Sequence, residues 1–313
     1  MPLFCWSLAV TGLSGPLTPL RLGCLGGLGL AFGLVVWLTR CGRWAPLPTL
    51  VFSVAAALAA ALLVQPRNDR DWVFDQAQLP SAVVQDGRVT LSNYRNFDWT
   101  SEGTATPRWE SRTFPLAALK HVDLILAYWG SPHICHAMVT FDFGDEGRLC
   151  VSMESRREHA EPYHPVAGAF RRYELVYVFG DERDLIRLRT NFRPNNEVYL
   201  FRLAASPADA RLMLLDYLKS ANELQSHPGW YHSLLTNCTT VIRRHARPLE
   251  VDLPLDWRII ANGHVDEYLH DLGYFAAKLP LAELKSRSRI TEAARRAPVE
   301  EFSRLIREAP PGF

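Results

Sequence analysis

The chain has 313 residues, 34 Lys+Arg against 33 Asp+Glu, and a formal net charge of +1, with 48% hydrophobic residues that include 15 Phe, 10 Tyr and 9 Trp. That apolar content suffices for a packed core and excludes disorder as the main state. The near balance of charge excludes the global basic field of a nucleic-acid binder. The charge is unevenly spread, because through Val64 the only charged side chains are Arg21, Arg40 and Arg43.

No side chain is charged from Leu22 to Thr39 or from Leu47 to Val64. Each stretch matches the roughly 17–25 apolar residues that cross a bilayer core. The segment between them, Arg40 to Pro46, is a short polar turn flanked by Trp37 and Trp44, which suits a helical hairpin with indoles at the interface. A secretory signal peptide would carry its charge at the extreme N-terminus and a shorter apolar run. A pair of soluble core helices would be weakened by Gly23, Gly26, Gly27, Gly29 and Gly33, which lipid-embedded helices use for close packing. Two transmembrane helices are therefore expected within residues 1–66. Arg21, Arg67 and Arg70 balance Arg40 and Arg43, so charge leaves the topology open.

From Asp69 onward the pattern predicts an α+β domain. Val83 to Ser92 and Thr113 to Leu116 read as short strands, and Val122 to Trp129 is an apolar run that fits a strand or a buried helix. His136 to Phe143 alternates, turns at Gly144-Asp145-Glu146-Gly147 and returns as Arg148 to Met153, a β-hairpin. Tyr173 to Phe179 and Val198 to Leu203 are further strands. Ser206-Pro207 caps a helix whose buried face is expected at Leu212, Leu215, Leu218 and Leu224. Leu234 to Ala246 reads as a second helix, opening at Thr236-Asn237-Cys238 and stopping before Pro248. Residues 251–313 read as a polar, partly helical extension, Arg-rich from Glu283 to Glu308.

Six cysteines are present, and the body holds Cys135, Cys150 and Cys238 without a CxxC pair. An odd number excludes a complete disulfide framework there, although Cys135 and Cys150 are open to pairing. Cys238 lies in the first turn of its helix, where unpaired N–H groups and the dipole favour a thiolate. That setting suits nucleophilic attack on an acyl carbonyl, and the same N–H groups suit an oxyanion. A small buried hydrophobe is the alternative reading. His136 opens the hairpin strand and is the candidate base, or else a histidine bonded at a strand end. Ser152 and Glu154 share one strand face, so Glu154 can orient His136 or pair with Arg156 or Arg157. Zinc held by His133 and His136 with His159 or His164 is a third option, disfavoured because strand geometry separates the first two. No metal and no cofactor is expected.

Three blocks then carry a resemblance: SPHICHAMVTFDFGDEGRLCVSMESRRE (Ser131 to Glu158), YELVYVFGDERDLIRLRTNFR (Tyr173 to Arg193) and WYHSLLTNCTTVIRRHA (Trp230 to Ala246). Together they resemble the Lnb N-terminal periplasmic domain family, over about Asp69 to Pro248. The family is named after a bacterial lipoprotein N-acyltransferase and is similar to permuted papain-like (NlpC-type) folds, in which the histidine strand precedes the cysteine helix. The resemblance implies Cys238 as nucleophile, His136 as base, Glu154 as orienting group and Asn237 as an oxyanion-hole helper. It also implies a periplasmic domain, here 69–250, held at the bacterial inner membrane by the preceding hairpin. In the acyltransferase that names the family, membrane helices follow the catalytic domain instead.

The expected function is therefore a membrane-anchored thiol acyltransferase, moving a fatty acyl chain from phospholipid to an amine such as a lipoprotein N-terminus. A cell-wall peptide hydrolase or amidase using the same dyad, and a non-enzymatic envelope binding protein, are the alternatives. No nucleic-acid partner is expected.

Overall fold

The computed structural model describes residues 65–308 apart from Ala160, together with isolated helical positions at Gly26, Gly29, Leu30, Gly33 and Trp37. The expected hairpin over 22–39 and 47–64 otherwise lies outside the described residues. Among the described residues no helix is long and apolar enough to cross a membrane. Among the described residues, 65–73, 155–175 and 228–236 group as one compact unit and 74–154, 176–227 and 237–308 as a second.

The fold is α+β. Strands β1 (Ser81–Gln85), β2 (Arg88–Arg95), β5 (Trp109–Pro115), β6 (His121–Trp129), β7 (Ser131–Asp142), β8 (Arg148–Arg156), β9 (Glu174–Gly180) and β10 (Asn196–Arg202) form one sheet, ordered β1-β2-β9-β8-β7-β6-β10 with β5 beside β2. Strands β3 (Asp98–Ser101) and β4 (Thr104–Thr106) make a separate ribbon. The strand expected over Val83 to Ser92 is a hairpin instead. Asp86 and Gly87 take φ of 51° and 70° and turn the chain so that Val84 faces Val89, the positive-φ pair that matches strand twist. The apolar run at Val122 resolves as strand β6, paired on both sides by β7 and β10.

Helices cover both faces of the sheet. Ile125, Ala127, Met138, Cys150, Val178, Val198 and Leu200 pack with Leu185 and Ile186 of α1 (Glu182–Asn191), Ala294 of α7 (Thr291–Arg296) and Phe302 of α8 (Phe302–Leu305). Before α7 in chain order lie α4 (Trp257–Ile260), α5 (Val265–Asp271) and α6 (Leu281–Arg287). On the opposite face, Phe141 and Tyr177 meet Tyr217 of α2 (Pro207–Ser226), and Tyr177 meets His245 of α3 (Cys238–Ala246). Ser206 caps α2 with a full capping box and Pro207 follows at the first helical position. The buried face of α2 is Ala210, Met213, Leu214, Tyr217, Leu218 and Ala221, and Leu212 and Leu215 are exposed. Of the four leucines expected to mark that face, only Leu218 is buried, because Ala210, Met213, Tyr217 and Ala221 make up most of the true stripe and leucines also occupy the solvent side. Helix α1 was not expected, although Asp181 caps it by accepting from Arg183 N.

The polar stretch from 251 onward contributes Ile290, Ala294, Phe302 and Ile306 to the core. Its Arg307 also enters the interior, with Nη2 at 2.9 Å from Asp123 and Nη1 at 2.7 Å from Glu182. Asp123 is shared with Arg202, whose Nε lies 2.8 Å away. Burial raises the cost of ionising Glu182, but Arg307 overcomes it and holds the carboxyl below its ordinary range. Replacing Arg307 with Met leaves that carboxylate without its main partner, at an expected cost of about 3–5 kcal/mol. Urea unfolding at neutral pH checks this, and the deficit should shrink on acidification as the wild type protonates Glu182 and loses the same stabilisation.

Candidate functional site

His136 and Met138 lie on one face of β7, and Ser152 and Glu154 lie on the matching face of β8. The two strands pair from Asp142↔Arg148 as far as Met138↔Ser152. Beyond that pair, β7 continues beside β6 alone. His136 Nε2 lies 2.7 Å from Ser152 Oγ and 3.3 Å from Glu154 Oε1, and Ser152 Oγ donates to the same carboxylate oxygen at 2.6 Å. Arg189 of α1 donates to Glu154 from the far side at 2.7 Å. Glu154 thus engages Arg189 rather than Arg156, which stacks over Trp72, or Arg157, which donates to Glu161 O.

Cys238 is the first residue of α3, and the His136 side chain and the Ala137 N–H both act on its sulfur to favour the thiolate. The sulfur also lies 3.9 Å from Cys135 O and 3.5 Å from Asn262 Nδ2. With Nε2 taken by Ser152 and Glu154, Nδ1 is the ring nitrogen left for the sulfur. The structure thus brings Cys238, His136 and Glu154 together, with His136 bonded to Ser152 and Glu154 and acting electrostatically on the sulfur. Asn237 sits at the start of the helix as its N-cap, with Oδ1 accepting from Thr240 N at 3.0 Å and Thr239 Oγ1 at 2.9 Å. That carbonyl is turned onto the helix, so the residue expected to help an oxyanion holds the turn that carries the cysteine.

The electrostatics separate this thiol from its neighbours. Burial disfavours the Cys238 thiolate, yet the hydrogen bond and charge of His136 outweigh it and bring the thiol below its ordinary value. Burial likewise opposes a charged His136, and Glu154 reverses the balance, so the imidazole is raised above a free histidine. Glu154 itself is held well below the carboxylate range, because His136 and Arg189 overcome its burial. Burial instead pushes Cys135 well up and Cys150 to about 12. Those two cysteines are free thiols. The β7–β8 register sets Cys150 opposite Thr140, five residues from Cys135 along an extended strand, well beyond disulfide reach.

Three contributors were not among the expected site residues. Ser152 shares the expected face and bridges base and carboxylate. Arg189 belongs to the unexpected helix α1, whose signal was the Asp181 cap followed by apolar residues at Leu185, Ile186 and Leu188. Asn262 had no local signal. Its Oδ1 accepts from Cys135 N at 3.0 Å while its backbone carbonyl receives the Cys135 thiol at the same distance. Gly263 permits that approach, since a Cβ there would fall 2.3 Å from the His133 carbonyl carbon.

His133 engages His264, with Nδ1 and Nε2 2.8 Å apart, while His136 engages Ser152 and Glu154, so the two histidines serve separate groups. Among the described residues no cluster of three or more His, Cys, Asp or Glu side chains is placed to hold a metal.

A family model described as the Lnb N-terminal periplasmic domain matches residues 105–263, just over half of the chain. The matched span contains His136, Ser152, Glu154, Arg189, Cys238 and Asn262. No curated protein and no solved structure matched the chain.

Alkylation of Cys238 followed against pH should reach half its maximal rate below about pH 8.5, the value of an unperturbed thiol. His136→Ala removes the groups that oppose burial, so its midpoint should move above that of the wild type. An unchanged midpoint in His136→Ala would mean that the imidazole does not control the sulfur.

Proposed function

The chain belongs to the Lnb N-terminal periplasmic domain family, and from that premise we propose that it is a membrane-anchored thiol acyltransferase with Cys238 as nucleophile, His136 as acid and base, and Glu154 as the group that orients the imidazole. Membership makes the matched region a periplasmic domain of an Lnb-type envelope protein. The order of histidine strand, carboxylate strand and cysteine helix is the permuted papain-like order. The observation that carries the reading is the placement of the Cys238 sulfur at a helix N-terminus, beside a His136 imidazole that favours its thiolate.

In the first half-reaction, the Cys238 thiolate attacks the ester carbonyl of a phospholipid and forms a C–S bond. The resulting oxyanion is met by α3 N–H groups and by Asn262 Nδ2, which already lies at hydrogen-bonding distance from the sulfur. Collapse breaks the ester C–O bond, and the His136 imidazolium protonates the departing lysophospholipid alkoxide. In the second half-reaction an amine, such as a lipoprotein N-terminus, attacks the thioester. His136 takes the amine proton, the C–S bond breaks and the thiolate is restored beside the imidazolium. Glu154 keeps Nε2 engaged throughout, so Nδ1 faces the sulfur in both steps. The uncharged segments before Asp69 would hold this cycle at the inner-membrane leaflet that supplies acyl chains.

Incubation with phospholipid and no acceptor should add one acyl mass to the wild type, removable by hydroxylamine and missing in Cys238→Ser. An unmodified Cys238 after that incubation would falsify the acyl-transfer reading. Release of peptide from cell-wall fragments without lipid would replace it with the hydrolase.

Asn262→Ala should lower kcat for acyl transfer by about tenfold to a thousandfold with little change in KM, as loss of one oxyanion donor does. Equal losses in Asn237→Ala and Asn262→Ala, accompanied by lowered melting temperatures in both, would point to structural roles alone.

A further inference from the structure

In the unit formed by residues 65–73, 155–175 and 228–236, one turn presents leucines outward on a closed polar frame. His232 Nδ1 accepts from the amides of Leu234 at 3.1 Å and Leu235 at 3.2 Å. His232 and Thr236 exchange backbone hydrogen bonds of 2.9 and 3.3 Å, which close the turn. Burial holds the His232 imidazole below its ordinary value, so at neutral pH Nδ1 carries the lone pair that this frame needs. Ser233 Oγ donates to Pro165 O at 2.6 Å and Ser233 N donates to Gly168 O at 3.2 Å. A Cβ on Gly168 would lie 2.4 Å from Ser233 Oγ, so the two loops meet where only glycine fits.

The polar groups of this knuckle are thereby turned inward, and what remains outward is apolar. Leu234 is 51% exposed, Leu235 73% and Val166 55%. No Asp, Glu, Lys or Arg occurs from Pro228 to Asn237 or from Pro162 to Phe170. Two leucines and a valine held in water by a fixed frame leave transfer free energy unclaimed, and an uncharged surround suits a hydrocarbon boundary rather than a charged protein face.

The same unit receives the chain directly after Val64, where the second uncharged stretch ends. Arg70 bridges Glu158 at 3.0 Å and Glu174 at 2.9 Å, and Arg156 stacks over Trp72 at 4.3 Å, so the entering segment is fastened to this unit. We infer that the Leu234-Leu235 knuckle, with Val166 beside it, inserts into the lipid leaflet that the N-terminal segments occupy. The inference rests on the membrane-anchored reading proposed above. It gives the segment leading into Asn237-Cys238 a lipid contact of its own, separate from the anchor.

The test places a benzophenone amino acid at position 235, 84 or 30 of the full chain, reconstituted in vesicles of phosphatidylethanolamine and phosphatidylglycerol. Val84 is an exposed residue of β1 and serves as the control away from the knuckle. Irradiation should link phospholipid to position 235 about tenfold more than to position 84, a ratio that burial of a single leucine supports. Lipid capture at position 30 but not at 235 overturns the knuckle and leaves the anchor standing. Capture at neither position overturns both, and capture of a protein at 235 overturns the lipid contact in favour of a partner surface.

Discussion

Much of the site follows from the place where β8 stops pairing with β7. After Met138↔Ser152 the strand β7 runs on with backbone groups that no neighbouring strand takes up on that side. Buried amides and carbonyls demand partners, and here the partners are side chains: Asn262 Oδ1 for the Cys135 amide, and the Cys238 thiol for the Cys135 carbonyl. The sulfur therefore stands in for a piece of β-ladder. Its position is set by backbone geometry as well as by the imidazole, which gives a reacting atom little freedom to drift.

The opening also puts the charges in order. Arg189 fastens Glu154, Glu154 and Ser152 fasten one edge of His136, and the other edge faces the sulfur. Each link compensates the desolvation of the next. Burial alone would push the Cys238 thiol up as it does Cys150, which has no imidazole among the groups acting on it. What sets Cys238 apart from the other two thiols is one neighbouring side chain, whose charged form is favoured by a carboxylate on the adjoining strand.

Asn237 and Gly263 show how backbone requirements support this arrangement from both sides. Asn237 uses its side chain to start α3 and so fixes the height of Cys238 against the strand. Gly263 lacks a side chain because the chain passes against His133 too closely for one, and that passage brings Asn262 to the sulfur. The C-terminal residues contribute at longer range, since Ile290, Ala294, Phe302 and Ile306 pack beside α1, the helix that carries Arg189.

Local patterns in the sequence were enough for the elements that signal themselves locally. The alternation from His136 with its Gly-Asp-Glu-Gly turn determined the β7–β8 hairpin, the Ser206-Pro207 cap determined α2, and Asn237 before Cys238 determined the start of α3. The shared face of Ser152 and Glu154 follows from strand period alone, and the three resemblance blocks determined the family. The Asp86-Gly87 hairpin and α1 also carried local signals, a positive-φ turn pair and an Asp cap. What only the tertiary structure decided are the contacts between residues far apart in the chain: Arg189 on Glu154, Asn262 on Cys238, Arg307 between Asp123 and Glu182, and the neighbourhood of His136 and Cys238 itself. Periodicity reports which way a side chain points from its own element, whereas those contacts depend on where elements separated by tens of residues are brought to rest by packing.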